Sequence, residues 1–235
     1  MAYRKTERER DRLRQRRDRI VVSACEVVQR SGFGAAKART IAERAGVSVG
    51  SLYSNFDRVD ELHAEVFQIL AEEELRRVAE DVEAAGCSSE ALAALVRGFG
   101  SRSLAAPVAS WALLLEPVSA NVEALRRRYR SDYADLVSSI VRAGIEAGEL
   151  PRQSVAVSAP AFIGAISESL VRPLDHAGLN MNAGALIPGP EAGLIEEILA
   201  FCLRAIGADR PCTEPEHRHH RHETPVGGDE SNGSE

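Results

Sequence analysis

Residues 32–62 read GFGAAKARTIAERAGVSVGSLYSNFDRVDEL, and this stretch decides the fold. Two short helical patterns, from about Lys37 to Ala45 and from about Val49 to Ser54, are separated only by Gly46, Val47 and Ser48. That is the spacing of a helix-turn-helix. Gly46 suits the left-handed position that ends a helix, and the Ser48 hydroxyl suits the position that accepts a hydrogen bond from the unpaired amides opening the next one. Ile41, Ala42, Ala45, Val47, Leu52 and Phe56 fall on the inward side and would hold the two helices at a fixed angle. The outward face is then free to meet a partner.

Upstream, Ile20, Val21, Ala24, Val27 and Val28 recur at helical spacing within residues 17–30 and make one inward stripe. Ser31 and Gly32 are expected to end that helix, and Phe33 to plug a three-helix core. Residues 3–19, YRKTERERDRLRQRRDR, hold nine basic and four acidic side chains and almost no apolar ones. Such a stretch reads either as a solvated helix or disordered extension, or as a basic arm lying on phosphates or reaching into a minor groove.

Downstream, helix signals continue without strand alternation, which gives an all-α chain. A long helix from about Asp60 has Leu62, Val66, Phe67, Leu70, Leu75 and Val78 on one side. Further helices are expected over about 90–105, 110–115, 119–147, 154–172 and 191–206. The last two carry broad apolar faces that one subunit satisfies only in part. Beyond Gly207 the sequence is rich in Pro, Gly and charge and is expected to be a disordered tail, in which His217, His219, His220 and His222 offer incidental metal affinity. The expected organisation is a basic arm over 1–16, a helix-turn-helix domain over 17–60, a second helical domain over 61–207 and the tail over 208–235.

Charge is unevenly spread. Of 29 Lys and Arg and 35 Asp and Glu, residues 1–60 hold 14 basic against 8 acidic, leaving 15 against 27 for the remainder. Only the first part is built for phosphates, and the acidic remainder would be repelled by DNA. Cys25, Cys87, Cys202 and Cys212 are scattered without a CxxC or Cys/His cluster, so neither a disulfide framework nor a zinc site is expected. No apolar run reads as a membrane span and the first residues are charged rather than signal-like, which points to a cytoplasmic protein without a membrane partner. His63 and His176, one near the hinge helix and one expected in a loop, lack partners for catalysis. With no HExxH and no glycine-rich phosphate loop, an enzyme is not expected, and neither a cofactor nor a structural metal is implied.

The IAERAGVS, GSLY and NF segments, within about Ile20 to Leu62, resemble the DNA-binding domain of the TetR family of bacterial repressors. The resemblance covers about a fifth of the chain. It implies a ligand-responsive homodimer that binds operator DNA through the helix-turn-helix and a small-molecule effector through the second domain. In that family the first helix of the pair usually opens on Thr or Ser; here Ala36 and Lys37 occupy those places, so a capping bond worth about 1 kcal/mol is expected to be missing. Val49, Gly50 and Ser51 would lie near base edges, through the Ser51 hydroxyl, contact of Val49 with thymine methyls and close approach at Gly50. Ser51, Tyr53 and Asn55 match positions that contact phosphates, and Arg39 matches one that in some members reaches a base or phosphate. Ser48 joins this set at the helix start. Where the family commonly has a phosphate-binding Lys, this chain has Val59, with Arg58 as the adjacent substitute.

For the second domain the resemblance implies a pocket, with Trp111, Leu114, Glu116, Arg126, Tyr129, Tyr133 and Phe162 as candidate walls. Packing of the last two helices into a four-helix bundle implies Phe162, Ala165, Ser169, Ile195, Ile198, Leu199 and Cys202 at a dimer interface. Alternative readings are a metal or redox sensor on the same head, and a helical interaction protein without specific DNA binding.

Overall fold

The computed structural model of the chain describes residues 2–180 and 193–208. The histidine-rich tail and the expected start of the last helix at Glu191 lie outside the described residues. Among those described, every regular element is a helix: α1 (Ala2–Ala35), α2 (Ala38–Ala45), α3 (Val49–Tyr53), α4 (Val59–Glu83), α5 (Ser88–Ala105), α6 (Pro107–Leu114), α7 (Ala120–Glu146), α8 (Val155–Asn180) and α9 (Leu194–Ile206).

The mixed-charge stretch is helical and continuous with the apolar stripe that follows it, so α1 is far longer than the expected 17–30. At 1.5 Å per residue, residues 2–18 project by about 25 Å. Among the side chains described, from Glu9 onward, this helix buries a face only from Ile20. Gly32, with φ 74 and ψ 174, breaks the helical path near its end, as expected.

Two hydrophobic cores follow from the stripes. The first gathers Ile20, Val28, Phe33, Ile41, Leu52 and Phe56 with the opening half of α4, and extends to Ala112, Val122 and Tyr129 of α6 and α7. The second gathers α5, the later turns of α7, α8 and α9 around Leu92, Val96, Val141, Ile166 and Leu170. Helix α6 is thus wedged between α1 and α8 and touches both cores.

Helix α8 departs from expectation in two ways. It runs through Pro173 to Asn180, so His176 lies within a helix and not in a loop. Its segment Val155–Asp175 is also long and apolar enough, by length and composition, to cross a membrane, with mean hydropathy 1.3. Against the expectation of no such run, the apolar residues simply occur on more than one side. Ala159, Phe162, Ile163, Ile166, Leu170 and Leu174 enter the second core, while Val157 is 65% exposed. Cys25 and Cys202 are free thiols.

Candidate nucleic-acid interface and internal cavity

The turn is built as its residue types require. Gly46 takes φ 65 and ψ 37, the left-handed conformation that closes α2, and the Val47 amide then bonds back to the Ala42 carbonyl at 3.0 Å. Ser48 adopts an extended backbone, and its hydroxyl accepts the Ser51 amide at 3.1 Å, capping α3. Lys37 opens α2 with no side-chain cap, so the expected deficit is present. Leu52 is fully buried and anchors α3 against α1 and α2.

This anchoring turns the other face of α3 outward. Val49 is 38% exposed and Tyr53 48%, both unusual for large apolar side chains of a packed domain. Gly50 is exposed beside them. Asn55 is tied back, its side-chain amide donating to the Ser51 carbonyl at 2.7 Å. The Ser51 hydroxyl, expected near base edges, is instead shut off from solvent and has no hydrogen-bond partner, because the backbone of α3 turns it toward the domain.

Two arginines flank that face. The Arg39 guanidinium is 86% exposed and donates from Nε to Glu43 one turn on, at 2.8 Å. Arg58 is 75% exposed and lies 3.5 Å from Asp60. Val59, where a lysine was absent, begins α4 and is partly packed against the first core. The head is held by Arg17, whose guanidinium donates to both Glu65 oxygens at 2.8 and 2.6 Å and sits 4.8 Å above the Phe56 ring. Arg17 therefore belongs to the scaffold and not to the exposed arginines.

Beneath the head, a cavity of about 430 Å³ opens between α4, α5, α6, α7 and α8. Four of the candidate ligand residues, Leu114, Arg126, Tyr129 and Tyr133, line it; Trp111, Glu116 and Phe162 do not. Trp111 packs between the two cores, and Phe162 is buried in the second. Its further walls include Phe67, Leu70, Leu95, Phe99 and Ile166. Sequence reasoning missed these because an apolar wall and an apolar core have the same pattern. Arg102 is bound on one side, Nε to Glu74 and Nη1 to Asp81, both at 2.8 Å. Its Nη2 and the Tyr133 hydroxyl are buried without a partner. Burial pushes the Tyr133 phenol up and raises the Glu74 carboxyl as well.

Glu116 and Arg126, expected to face a ligand, do other work. The Glu116 carboxylate, in a residue only 5% exposed, accepts the Phe33 and Gly34 amides at 2.7 Å each. Arg126, 8% exposed, donates to the carbonyls of Leu113, Ala112 and Glu116 at 2.8, 3.2 and 2.8 Å. It thereby satisfies the carbonyls that the end of α6 leaves unpaired. Burial lowers its pKa, while Glu123, bonded at 2.8 Å, opposes the shift.

On the far side, α8 and α9 leave an open groove lined by Ala161, Gly164, Ala165, Ser169, Phe201 and Ala205 among others. Phe201 is 55% exposed. Of the candidate interface residues, Phe162, Ala165, Ser169 and Cys202 line this groove, Phe162 and Cys202 as buried members of the second core that form its floor. Ile198 and Leu199 are turned into the subunit's own core, and Ile195 packs against it.

Residues 20–66 match the family model for bacterial regulatory proteins of the tetR family. Among solved structures, a TetR transcription regulator from Haloarcula marismortui is similar with a TM-score of 0.67 at 16% identity, covering 83% of this chain and 97% of that one. The transcriptional regulator FadR from Bacillus subtilis, solved in complex with stearoyl-CoA, gives 0.62 at 18% identity over 82% and 98%. RolR, solved with the ligand resorcinol, gives 0.61 at 16% over 87% and 98%. No curated protein matches the chain.

Proposed function

We propose that the chain is a transcription regulator of the TetR family, whose model residues 20–66 match, and that it is a cytoplasmic homodimeric repressor released from its operator by a small molecule. The observation that carries this reading is the stacking of two unsatisfied surfaces around one cavity. The face of α3 bearing Val49, Gly50 and Tyr53 is exposed at one end, and the apolar groove of α8 and α9 is exposed on the other side.

In this proposal Arg39, Val49, Gly50 and the backbone around Ser48 and Ser51 meet base edges or the phosphates beside them, while Tyr53, Asn55 and Arg58 hold phosphates. A two-fold dimer places two such heads in successive major grooves about 34–36 Å apart, so a small change in their spacing removes both contacts. Small residues in the groove, Ala161, Gly164 and Ala165, permit close approach of a second copy, with Phe201 as its apolar anchor. The cavity takes an effector with an apolar body, and the form of the protein that binds it best is the form with mismatched heads. FadR and RolR were solved with small molecules bound, which supports a ligand for this cavity without naming it.

The test is the mass in solution, by light scattering, of the wild-type chain and Phe201→Glu. The proposal expects about twice the 25.4 kDa chain mass for wild type, and the single chain mass together with lost DNA affinity for the variant. A wild-type monomer that binds DNA tightly would contradict it.

A further inference from the structure

Helix α6 contributes Ala109, Ser110 and Leu113 to the cavity, with Leu114 and Leu115 at its end. The next residue is Glu116, whose carboxylate grips two amides 82 and 83 positions earlier in the chain. Those amides are available for a reason. In an unbroken α1, Phe33 and Gly34 would donate to carbonyls one turn back, but φ 74 at Gly32 takes the chain off the helical path. The carboxylate occupies the place of the lost acceptors. A Cβ on Gly32 would stand 2.7 Å from Glu116 Oε2, so conformation and space both require glycine there.

The attachment is stiff at both ends. Arg126, itself a cavity-wall residue, holds the Glu116 carbonyl and the last carbonyls of α6 in one guanidinium. Ala36, at the other end, is fully buried, and its carbonyl pairs with His63 Nε2 at 2.8 Å, where α4 begins. Lys37 then opens α2 without a cap of its own. Thus only Ala35, Ala36 and Lys37 separate the gripped Gly34 amide from the first residue of α2, and the grip at Glu116 directly follows the cavity-wall residue Leu115.

We infer that Glu116 is the positioning residue through which filling of the cavity is felt by the reading head: displacement of the end of α6 withdraws the carboxylate from Phe33 and Gly34 and frees α2 and α3 to turn relative to α1. The inference rests on the proposed effector role of the cavity and adds the route from it. The relay requires two arrangements of the carboxylate grip, the engaged one seen in the structure and a withdrawn one that filling of the cavity would favour. Arg126 transmits displacement of the α6 carbonyls, its hydrogen bonds running to Ala112, Leu113, Glu116 and Glu123.

A cavity-filling substitution can stand in for the effector. Ser167→Phe and Val171→Trp each enlarge a wall residue on α8, across from α6. They are made in the full-length chain, alone and together with Glu116→Ala or Glu116→Gln. Each protein is titrated against a duplex selected from a randomised pool by the wild-type chain, and amide exchange is followed at Phe33 and Gly34. The expected result is that filling the cavity weakens DNA binding by about tenfold or more, within the usual coupling range of about 5 to 150-fold, and speeds exchange at those two amides. In the Glu116→Ala background filling should change affinity by less than about threefold, with Glu116→Gln intermediate because it keeps one acceptor. A tenfold loss that persists in Glu116→Ala, or that occurs with the two amides still protected, would overturn the relay and leave the effector cavity standing. If neither filled variant changes affinity in either background, the cavity does not control DNA binding, and the relay falls with it.

Discussion

At the scale of single residues, the reading head concentrates its chemistry in few side chains. Arg39 and Arg58 are long, exposed donors beside the outward face, and the Arg39–Glu43 ion pair is an exposed one of the kind that contributes about 0–1 kcal/mol and is given up readily. Tyr53, half-exposed on the same face, lacks a directional fork, and the proposal assigns it to the backbone of the duplex. Arg39→Ala is therefore expected to cost about 1–3 kcal/mol and to relax one operator position, whereas Tyr53→Ala weakens all sequences alike. Affinity measured across a set of single-base operator variants separates the two. Equal loss on every sequence for Arg39→Ala would make it a phosphate contact.

Residue-level roles were also where the sequence was least legible. Glu116 was readable as a lone acid beside an apolar helix, but its partners lie 82 and 83 positions away and are backbone amides, which carry no signature of their own. Arg126 read as one of a run of surface arginines, yet it is the member of Arg126–Arg130 that packs inward and caps α6. The Ser51 hydroxyl was expected at the groove and is occluded, since which way a small side chain turns within one helical turn is set by the helix axis and not by its neighbours in sequence.

At the scale of elements, local chemistry was sufficient wherever it was strong. Gly46 and Ser48 specify the turn through conformations and bonds confined to a few residues, and both are in place. The apolar stripes placed α4, α5 and α7 to within a few residues. They erred at α1, where mixed charge at this density remained compatible with helix or disorder, and at α8, expected over about 154–172, which runs on through Pro173 to Asn180. The uncapped start of α2 yields a prediction of its own. Lys37 already has the extended backbone of a capping position, so Lys37→Ser is expected to supply the missing bond and to stabilise the chain by about 1 kcal/mol. Thermal melting reads the gain; an unchanged or lower midpoint would show that the open amides are already satisfied by another group.

At the scale of the whole molecule, charge and shape divide the work. The basic first 60 residues carry the exposed arginines of the head. The acidic remainder carries a cavity and an apolar groove, and α6 joins the two through Glu116. Salt sensitivity is expected to report the first part alone, because each phosphate contact that releases a counterion steepens the dependence on salt. Fold class and the DNA-reading function were legible at this scale, because they rest on periodicity and on one turn. Effector identity was not, because the cavity walls are the same aliphatic and aromatic residues that fill any core.

The central claim, specific DNA binding by a two-headed regulator, is tested most directly by fluorescence anisotropy of the full-length protein against DNA from immediately upstream of its own gene, with an unrelated duplex of equal length alongside, at two salt concentrations. The account predicts saturable binding to the upstream fragment about a thousandfold or more tighter than to the unrelated one, with the gap preserved as salt rises. Equal, weak and equally salt-sensitive binding to that fragment, and to any duplex selected from a randomised pool, would contradict it.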